Sequence, residues 1–191
     1  MKKTLISLLV VTGVGISAVG LVAGERGERH HNEDHERHEH GSSAAYRSDP
    51  QYDLYKSECG DCHMAYPPSM LPVASWQGMM TVLDDHFGDN AELDVATAKE
   101  VTAFLGRNAA GEGSGEYGER SWRATQGLAP PLRITETDYF RGQHHEIPDK
   151  MVTGNPDVGS LSRCESCHRE AELGNFDEHG VRIPGYGRWD D

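Results

Sequence analysis

Basic residues and large apolar residues are both scarce in this 191-residue sequence. Lysine and arginine together number 18, against 31 aspartates and glutamates, which gives a formal net charge of −13. So acidic a chain lacks the basic surface that nucleic-acid phosphates require, and this argues against nucleic acid as a partner. Only four phenylalanines occur, and hydrophobic residues make up 36% of the chain. A core this thin indicates that a disulfide, a metal or a cofactor supports the fold.

The only long apolar run lies at the N-terminus. In residues 1–24, Lys2 and Lys3 precede an apolar stretch over residues 5–22 that ends among small residues, a pattern typical of a secretory signal peptide. The run is nearly long enough to span a bilayer, so an uncleaved N-terminal anchor is the alternative. We expect cleavage, a periplasmic location and no stable membrane insertion afterwards.

Export would leave a strongly acidic protein. Without the two leader lysines, 16 basic residues face 31 acidic ones, a formal net charge of −15. This balance is compatible with a basic protein partner that is steered by opposite charge. Solubility alone is the other explanation of the same acidity.

Residues 25–46 are polar, charged and rich in histidine. They offer almost nothing apolar to bury, so we expect a disordered tether. Histidines of this kind bind transition metals when their geometry is fixed, but nothing fixes it here, and a solvated spacer is the simpler interpretation. The histidines concerned are His30, His31, His35, His38 and His40.

All four cysteines lie in two copies of one short motif. The copies are Cys59-Gly60-Asp61-Cys62-His63 and Cys164-Glu165-Ser166-Cys167-His168. A histidine directly after the second cysteine is the attachment signature of a c-type haem. Two cysteines three residues apart project from one side of a helical turn, so both sulfurs can form thioethers with the vinyl groups of one haem. The histidine then lies under the iron as its proximal ligand, and the sequence predicts two covalently bound haem c groups.

Three other uses of the cysteines fit less well. A zinc site usually brings its Cys-x-x-Cys pairs closer together in sequence than the roughly one hundred residues that separate them here. A thioredoxin-like redox pair at Cys59 and Cys62 would need a surrounding βαβ pattern, which the sequence lacks. Paired disulfides would leave both histidines unexplained.

We expect a mainly α-helical protein with long loops. Residues 47–110 would form a first haem domain, with a helix over residues 53–58 that leads into the motif. A second helix would be capped by Ser75 and a third by Asp94, with Gly106 as the stop of the third. A helix before the motif and another that closes the domain resemble a small class I cytochrome c.

The second half reads as loop-rich. Residues 107–120 have the composition of a linker, and residues 111–191 would form a small second haem domain. Thr137 is placed to cap a short helix, and a last helix or turn would carry the second motif. The C-terminal tail is rich in turn-forming residues, so we expect it to wrap the second haem as a loop.

Longer stretches around the motifs carry a family resemblance. They are ECGDCHMAYPP at residues 58–68, DHFG at 85–88, PLRITET at 131–137 and VRIP at 181–184. In these residues the chain resembles the bacterial dihaem cytochrome c family, small periplasmic electron carriers, over about residues 50–185. The resemblance implies electron delivery without substrate chemistry. It also implies two partners, a membrane b-type cytochrome and a small soluble high-spin cytochrome c that can bind oxygen.

Each iron needs a sixth ligand if both haems are electron carriers. In the predicted first haem domain, residues 47–110, His86 is the only histidine outside the motif, and it lies in the DHFG stretch that resembles the family. We therefore predict His86 as the distal ligand of the first haem. Methionine sulfurs are the alternative ligands, although Met79 and Met80 are better explained as core residues. The methionines are Met64, Met70, Met79 and Met80.

Three histidines compete for the second iron. His144 lies one helical turn after Phe140, so both side chains share a helix face, and it also falls where the resembled family has its histidine. We predict His144 as the distal ligand. His145 and His179 stay open as alternatives, since a loop could fold His179 back towards the haem.

The sequence thus predicts one-electron transfer by two low-spin haems, and not an enzyme. The protein itself would contribute position, burial and electrostatics, while the haem supplies the chemistry. A dihaem enzyme or a gas-binding sensor is the alternative, and either would need one haem with an open coordination position.

Overall fold

Helices dominate the described part of the chain, which spans residues 45–189 of a computed structural model. The predicted signal peptide and residues 25–44 of the predicted tether lie outside this range. Within it the α-helices are α1 (Tyr52–Cys59), α2 (Val73–Met80), α3 (Val95–Asn108), α4 (Gly115–Ala124) and α5 (Asp138–His144). The mainly α-helical fold class is therefore confirmed. None of the helices in residues 45–189 is long and apolar enough to cross a membrane.

Short 3-10 helices and one hairpin complete the described structure. The hairpin pairs β1 (Arg182–Ile183) with β2 (Gly187–Arg188) in antiparallel register, with Arg182 opposite Arg188. The 3-10 helices lie at Ala45–Ser48, Pro68–Met70, Leu83–Asp85, Ile134–Glu136, Asp149–Met151, Cys164–Ser166, Ala171–Leu173 and Glu178–Gly180.

An aromatic core stabilises residues 45–110, the first half of the described chain. Helix α3 packs against α1 and α2, and the ring of Phe104 stacks on that of Tyr55 with centres 4.9 Å apart. Phe104 and Val101 on α3 are fully buried. Trp76 on α2 is buried and donates from Nε1 to the carbonyl oxygen of Pro68 at 2.7 Å. Helix α1, whose last residue is Cys59, is thus fixed to a packed support.

The predicted cap of α3 is confirmed, whereas its predicted stop is wrong. The Asp94 side chain accepts hydrogen bonds from the backbone amides of Ala96 and Thr97, as an N-cap carboxylate should. The helix continues past Gly106 and ends at Asn108. An ion pair of 3.0 Å between Arg107 and Asp49 holds this last turn and offsets the low helix propensity of glycine.

The expectation that Ser75 caps α2 is also wrong. The helix begins two residues earlier, at Val73, with Pro72 as the N-cap residue. A proline at a helix start costs little, because the first amides have no intrahelical partner in any case. Ser75 is instead fully buried inside the helix.

The predicted linker over residues 107–120 is wrong at residues 107–108, which end α3, and from residue 115 onwards, where α4 begins. Its inner face is made of small residues, Gly118 and Ser121, which are both buried. The Ser121 hydroxyl donates to the carbonyl oxygen of Met70 at 2.7 Å. Small residues let α4 approach the backbone of the first half closely. The same glycines and serines give this segment the composition of a linker.

The predicted tether extends too far at its C-terminal end. Ala45 and Tyr46 open a 3-10 helix, and Tyr46 is buried with its ring edge-on to Tyr52 at 5.6 Å. An aromatic side chain is large enough to anchor a polar segment on the core.

The second half is built from short elements, as expected. The Thr137 hydroxyl accepts from the backbone amide of Phe140 at 3.1 Å, so the predicted cap of α5 is confirmed. The second motif begins in the 3-10 helix Cys164–Ser166. The tail returns to this motif, since the amide of Arg182 donates to the carbonyl oxygen of Cys167 at 3.0 Å.

Candidate haem sites

The first motif follows directly from the end of α1. Gly60 is the residue after the helix, and a side chain there would collide with the carbonyl of Lys56, so glycine is required by the close approach. His63 donates from Nδ1 to the carbonyl oxygen of Met64 at 2.7 Å. Because a carbonyl oxygen only accepts, this bond puts the proton on Nδ1 and leaves Nε2 with a free lone pair.

His86 faces this motif from a tight turn. Backbone hydrogen bonds join His86 and Asp89 in both directions, at 2.7 and 3.3 Å. The two residues between them, Phe87 and Gly88, have positive φ values of 58° and 107°. This is the pattern of a two-residue turn, and it is strained at a non-glycine residue such as Phe87. The Arg133 guanidinium lies 3.7 Å from the centre of the Phe87 ring, a cation–π contact that supports the turn.

The ring centres of His63 and His86 lie 6.3 Å apart. A metal–imidazole bond measures about 2.0–2.1 Å and the ring centre lies ~1.1 Å beyond the nitrogen, so two imidazoles on opposite sides of one metal ion have centres ~6.3 Å apart. The observed separation therefore fits a single iron between the two rings.

The second motif lines a cavity, hereafter the second cavity, with an empty volume of about 1110 Å³, including space open to solvent. Cys164, Cys167 and His168 lie along one wall and His144 along another. Most of the remaining lining is apolar, as a porphyrin requires, and includes Phe140, Val152, Val158, Val181 and Ile183.

His144 and His168 repeat the ring separation of the first pair. Their ring centres lie 6.2 Å apart. The His144 ring stacks on that of Phe140 at 3.9 Å, and its Nδ1 donates to the Phe140 carbonyl at 2.9 Å. The shared face predicted for these two residues is thus confirmed, and Nε2 of His144 again keeps its lone pair.

Burial favours the neutral form of His86, His144 and His168. It lowers the pKa of His168 to about 4, with a further contribution from His144, and it also lowers the pKa of His144. The pKa of His86 is lowered by burial, then by His63 and Arg133. Imidazoles are neutral above their pKa and must be neutral to bind a metal, so His86, His144 and His168 are in the form that a metal requires at pH 7.

Two of the imidazoles also carry buried nitrogens that lack a partner. Nδ1 of His86 and Nδ1 of His168 make no hydrogen bond within residues 45–189. Such atoms are costly in a folded protein and are concentrated where a group is bound. Together with the ring separations and the apolar cavity, they fit haem at both positions.

The competing ligands lie elsewhere. The side chains of His145 and His179 are 70% and 74% exposed, and neither residue lines the cavity. His179 is bound to the Asp177 carboxylate at 3.0 Å. The methionines differ from these two histidines: Met64, Met70 and Met79 are buried, and Met70 lines the second cavity, away from the first iron for which it was the alternative ligand.

The sequence does not indicate two aromatic side chains that contact the proximal histidines. Tyr66 stacks on the His63 ring with centres 4.6 Å apart, and Phe176 meets the His168 ring edge-on at 5.4 Å. Phe176 arrives from the tail, eight positions from its partner, with no regular element to indicate the contact. Tyr66 is only three residues after His63, but no helical period connects them.

Comparisons with known proteins agree with this geometry. A family model described as dihaem cytochrome c matches residues 55–176. An X-ray structure of a diheme cytochrome type c from Shewanella baltica is 43% identical, with a TM-score of 0.61, and the match covers 74% of this chain and 99% of that one. A diheme cytochrome c from Rhodobacter sphaeroides is 38% identical, with a TM-score of 0.58, and the match covers 65% and 95% of the two chains. No curated protein matches the sequence.

Proposed function

Because the chain belongs to the dihaem cytochrome c family and carries two covalently bound haem c groups, we propose that it transfers single electrons through two irons with two histidine ligands each. His63 and His86 would hold the first iron, and His168 and His144 the second. Cys59 and Cys62 would form the thioethers of the first haem, and Cys164 and Cys167 those of the second.

The two ring separations, 6.3 and 6.2 Å, carry this proposal. Both match the span of two imidazoles across one metal ion, and each involves a distal histidine that is distant in sequence from its motif. An open coordination position, which a dihaem enzyme or a gas sensor needs, would require no second imidazole at that distance. The haem iron supplies the one-electron chemistry when it is bound.

Hydrogen bonds within the protein orient the imidazoles that would bind the iron. The Nδ1–H bonds of His63 and His144 set the tautomer and the ring orientation, and such outer bonds also raise the basicity of the ligand nitrogen. The apolar walls of the second cavity exclude water from that haem. Two nitrogen ligands favour a lower reduction potential than a histidine and a methionine would.

An absorption spectrum of the purified holoprotein tests the proposal. We expect low-spin bands for both haems in both oxidation states, and little binding of carbon monoxide by the reduced protein, because each iron has six ligands. A high-spin band, or stoichiometric carbon monoxide binding in the unmodified protein, would contradict it. Either result would favour the enzyme or the sensor.

The partners follow from charge and from the family resemblance. We propose that the mature protein works in the periplasm, between a membrane b-type cytochrome and a small soluble high-spin cytochrome c. The charge of −15 that remains after the two leader lysines are removed supports a partner with a basic docking surface.

Raising the ionic strength should slow electron transfer to a basic partner several-fold. Salt shortens the reach of surface charge from about 30 Å at 0.01 M to about 8 Å at 0.15 M, so steering is lost. Stopped-flow mixing with a basic cytochrome c as acceptor measures the rate. A small uncharged reductant serves as the control, since its rate should not change with salt. A protein–protein rate that is equally indifferent to salt would leave the acidity as a solubility device.

A further inference from the structure

Tyr66 contacts both haem sites. Its ring stacks on the His63 imidazole with centres 4.6 Å apart and planes 24° from parallel. Its hydroxyl donates to the carbonyl oxygen of Ser162 at 2.6 Å, across 96 positions of sequence. Ser162 lies two residues before Cys164, the first cysteine of the second motif, whose Sγ is 3.7 Å from the same carbonyl oxygen. One side chain therefore extends from the proximal histidine of one site to the attachment loop of the other.

The residues after Tyr66 continue this bridge. Met70, four positions later, is buried and forms part of the wall of the second cavity. Its carbonyl oxygen accepts the hydrogen bond from Ser121 on α4. The backbone of Tyr66 is itself fixed, because the buried Tyr55 hydroxyl donates to its carbonyl oxygen at 2.7 Å. The segment from 66 to 70 thus lies between the two sites and is held on both sides.

We propose that Tyr66 couples the two haem sites electronically and keeps them at a fixed separation. This inference rests on the proposed function, since it takes His63 as an iron ligand. The contacts form a short connected path: the His63 ring, the Tyr66 ring, the hydroxyl–carbonyl bond to Ser162, and the two backbone links to Cys164. Tyr66 is a positioning residue in this role, because it acts on the first site through His63.

The transfer that this path serves needs no chemistry on the tyrosine. One electron leaves the reduced haem, which is oxidised, and reaches the oxidised haem, which is reduced. No covalent bond forms or breaks. The Tyr66 hydroxyl keeps its proton, because its partner is a carbonyl oxygen that accepts a hydrogen bond and is too weak a base to remove the proton.

Two substitutions separate the two contacts of Tyr66. Tyr66→Phe keeps the stacking ring and removes only the bond to Ser162, while Tyr66→Leu removes both. The matched control is Tyr186→Phe, because the Tyr186 hydroxyl also donates to a distant backbone carbonyl, that of Lys150 at 3.3 Å, but lies outside both motifs. All variants are studied as holoproteins well below their melting temperatures.

The measurement follows one electron inside a protein that has received only one. Pulse radiolysis reduces one haem per molecule, and absorption changes then report redistribution between the two haems. We expect Tyr66→Phe to slow the redistribution several-fold, because the path then lacks the hydrogen bond that joins the Tyr66 ring to the Ser162 carbonyl. Tyr66→Leu should slow it further, and Tyr186→Phe should match the unmodified protein.

The outcomes distinguish this inference from the function on which it rests. A redistribution rate in both Tyr66 variants equal to that of Tyr186→Phe overturns the coupling role, and low-spin spectra would still support the electron carrier. A variant that merely melts at a lower temperature, with an unchanged rate, also overturns it. If the unmodified protein is high-spin at the first haem, the ligand assignment fails first, whatever the Tyr66 variants show.

Discussion

Replacement of His144 by alanine should turn the second haem from low-spin to high-spin. The reduced variant should then bind carbon monoxide stoichiometrically, while the bands of the first haem stay unchanged. The expectation follows from the 6.2 Å between the His144 and His168 rings and from the Nδ1 bond that leaves Nε2 of His144 free. Absorption and electron paramagnetic resonance spectra of the holoprotein give the spin state of each haem.

His145→Ala and His179→Ala are the matched controls. Both side chains are exposed, and neither residue lines the second cavity, so both variants should stay fully low-spin. A high-spin second haem in His179→Ala, together with an unchanged His144→Ala, would move the ligand to the tail and refute the assignment.

His86→Ala should have the same effect on the first haem alone. The turn from His86 to Asp89 presents this imidazole 6.3 Å from the His63 ring, centre to centre. Two single variants that each open a different haem would establish both pairs independently. If His86→Ala leaves the first haem low-spin, another side chain, such as a methionine, completes that iron.

Loss of the second haem should cost the second half most of its tertiary order. Of the six buried apolar residues beyond residue 111 in the described chain, five line the second cavity. They are Phe140, Val152, Val158, Val181 and Ile183. The wall of the cavity is therefore the apolar core of this half, and without the haem that wall loses the apolar group that it packs around.

The double variant Cys164→Ser/Cys167→Ser tests this dependence. It removes both thioether positions of the second motif and should leave the first haem's spectrum in place. Hydrogen exchange should show that peptides from residues 134–189 lose protection, because their apolar side chains then have no partner to cover. Full protection of these peptides without the second haem would show that the half folds on protein contacts alone.

Cys59→Ser/Cys62→Ser is the corresponding variant of the first motif. The core of the first half packs on itself, with Phe104 stacked on Tyr55 and Val101 fully buried. Helices α2 and α3 should therefore keep much of their protection when the first haem is lost. The contrast between the two double variants separates a haem that completes a core from one that is attached to an existing core.

Local chemistry explains why parts of this fold are predictable. Asp94 and Thr137 cap helices through their own side chains, so three or four residues of sequence contain the whole signal. The two motifs are local in the same sense. Helix α4 is different, because the residues that it buries, Gly118 and Ser121, are small residues that are also common in linkers. Its composition therefore matches that of a loop.

The candidate sites divide in the same way. The position of His144 beside the His168 ring is predictable because Phe140, one turn earlier, marks the buried face of α5. The position of His86 beside the His63 ring is predictable mainly because residues 47–110 contain no other histidine outside the motif. The role of Tyr66 is not predictable from the sequence. Its hydrogen bond is to Ser162, 96 positions away, and no local pattern around either residue indicates that contact.

Helix α4 packs tightly against the residues before Met70. At Gly118 on α4, an added methyl group would lie 3.2 Å from the Cβ of Ser69 and would also collide with the side chain of Ser114. Ser69 is the neighbour of Met70, which forms part of the second cavity wall. Because Gly118 has only a hydrogen atom in place of a side chain, α4 can pack this closely against Ser69. A larger residue at position 118 would push α4 away from Ser69, and we expect it to alter the spacing of the two haem sites although it contacts neither.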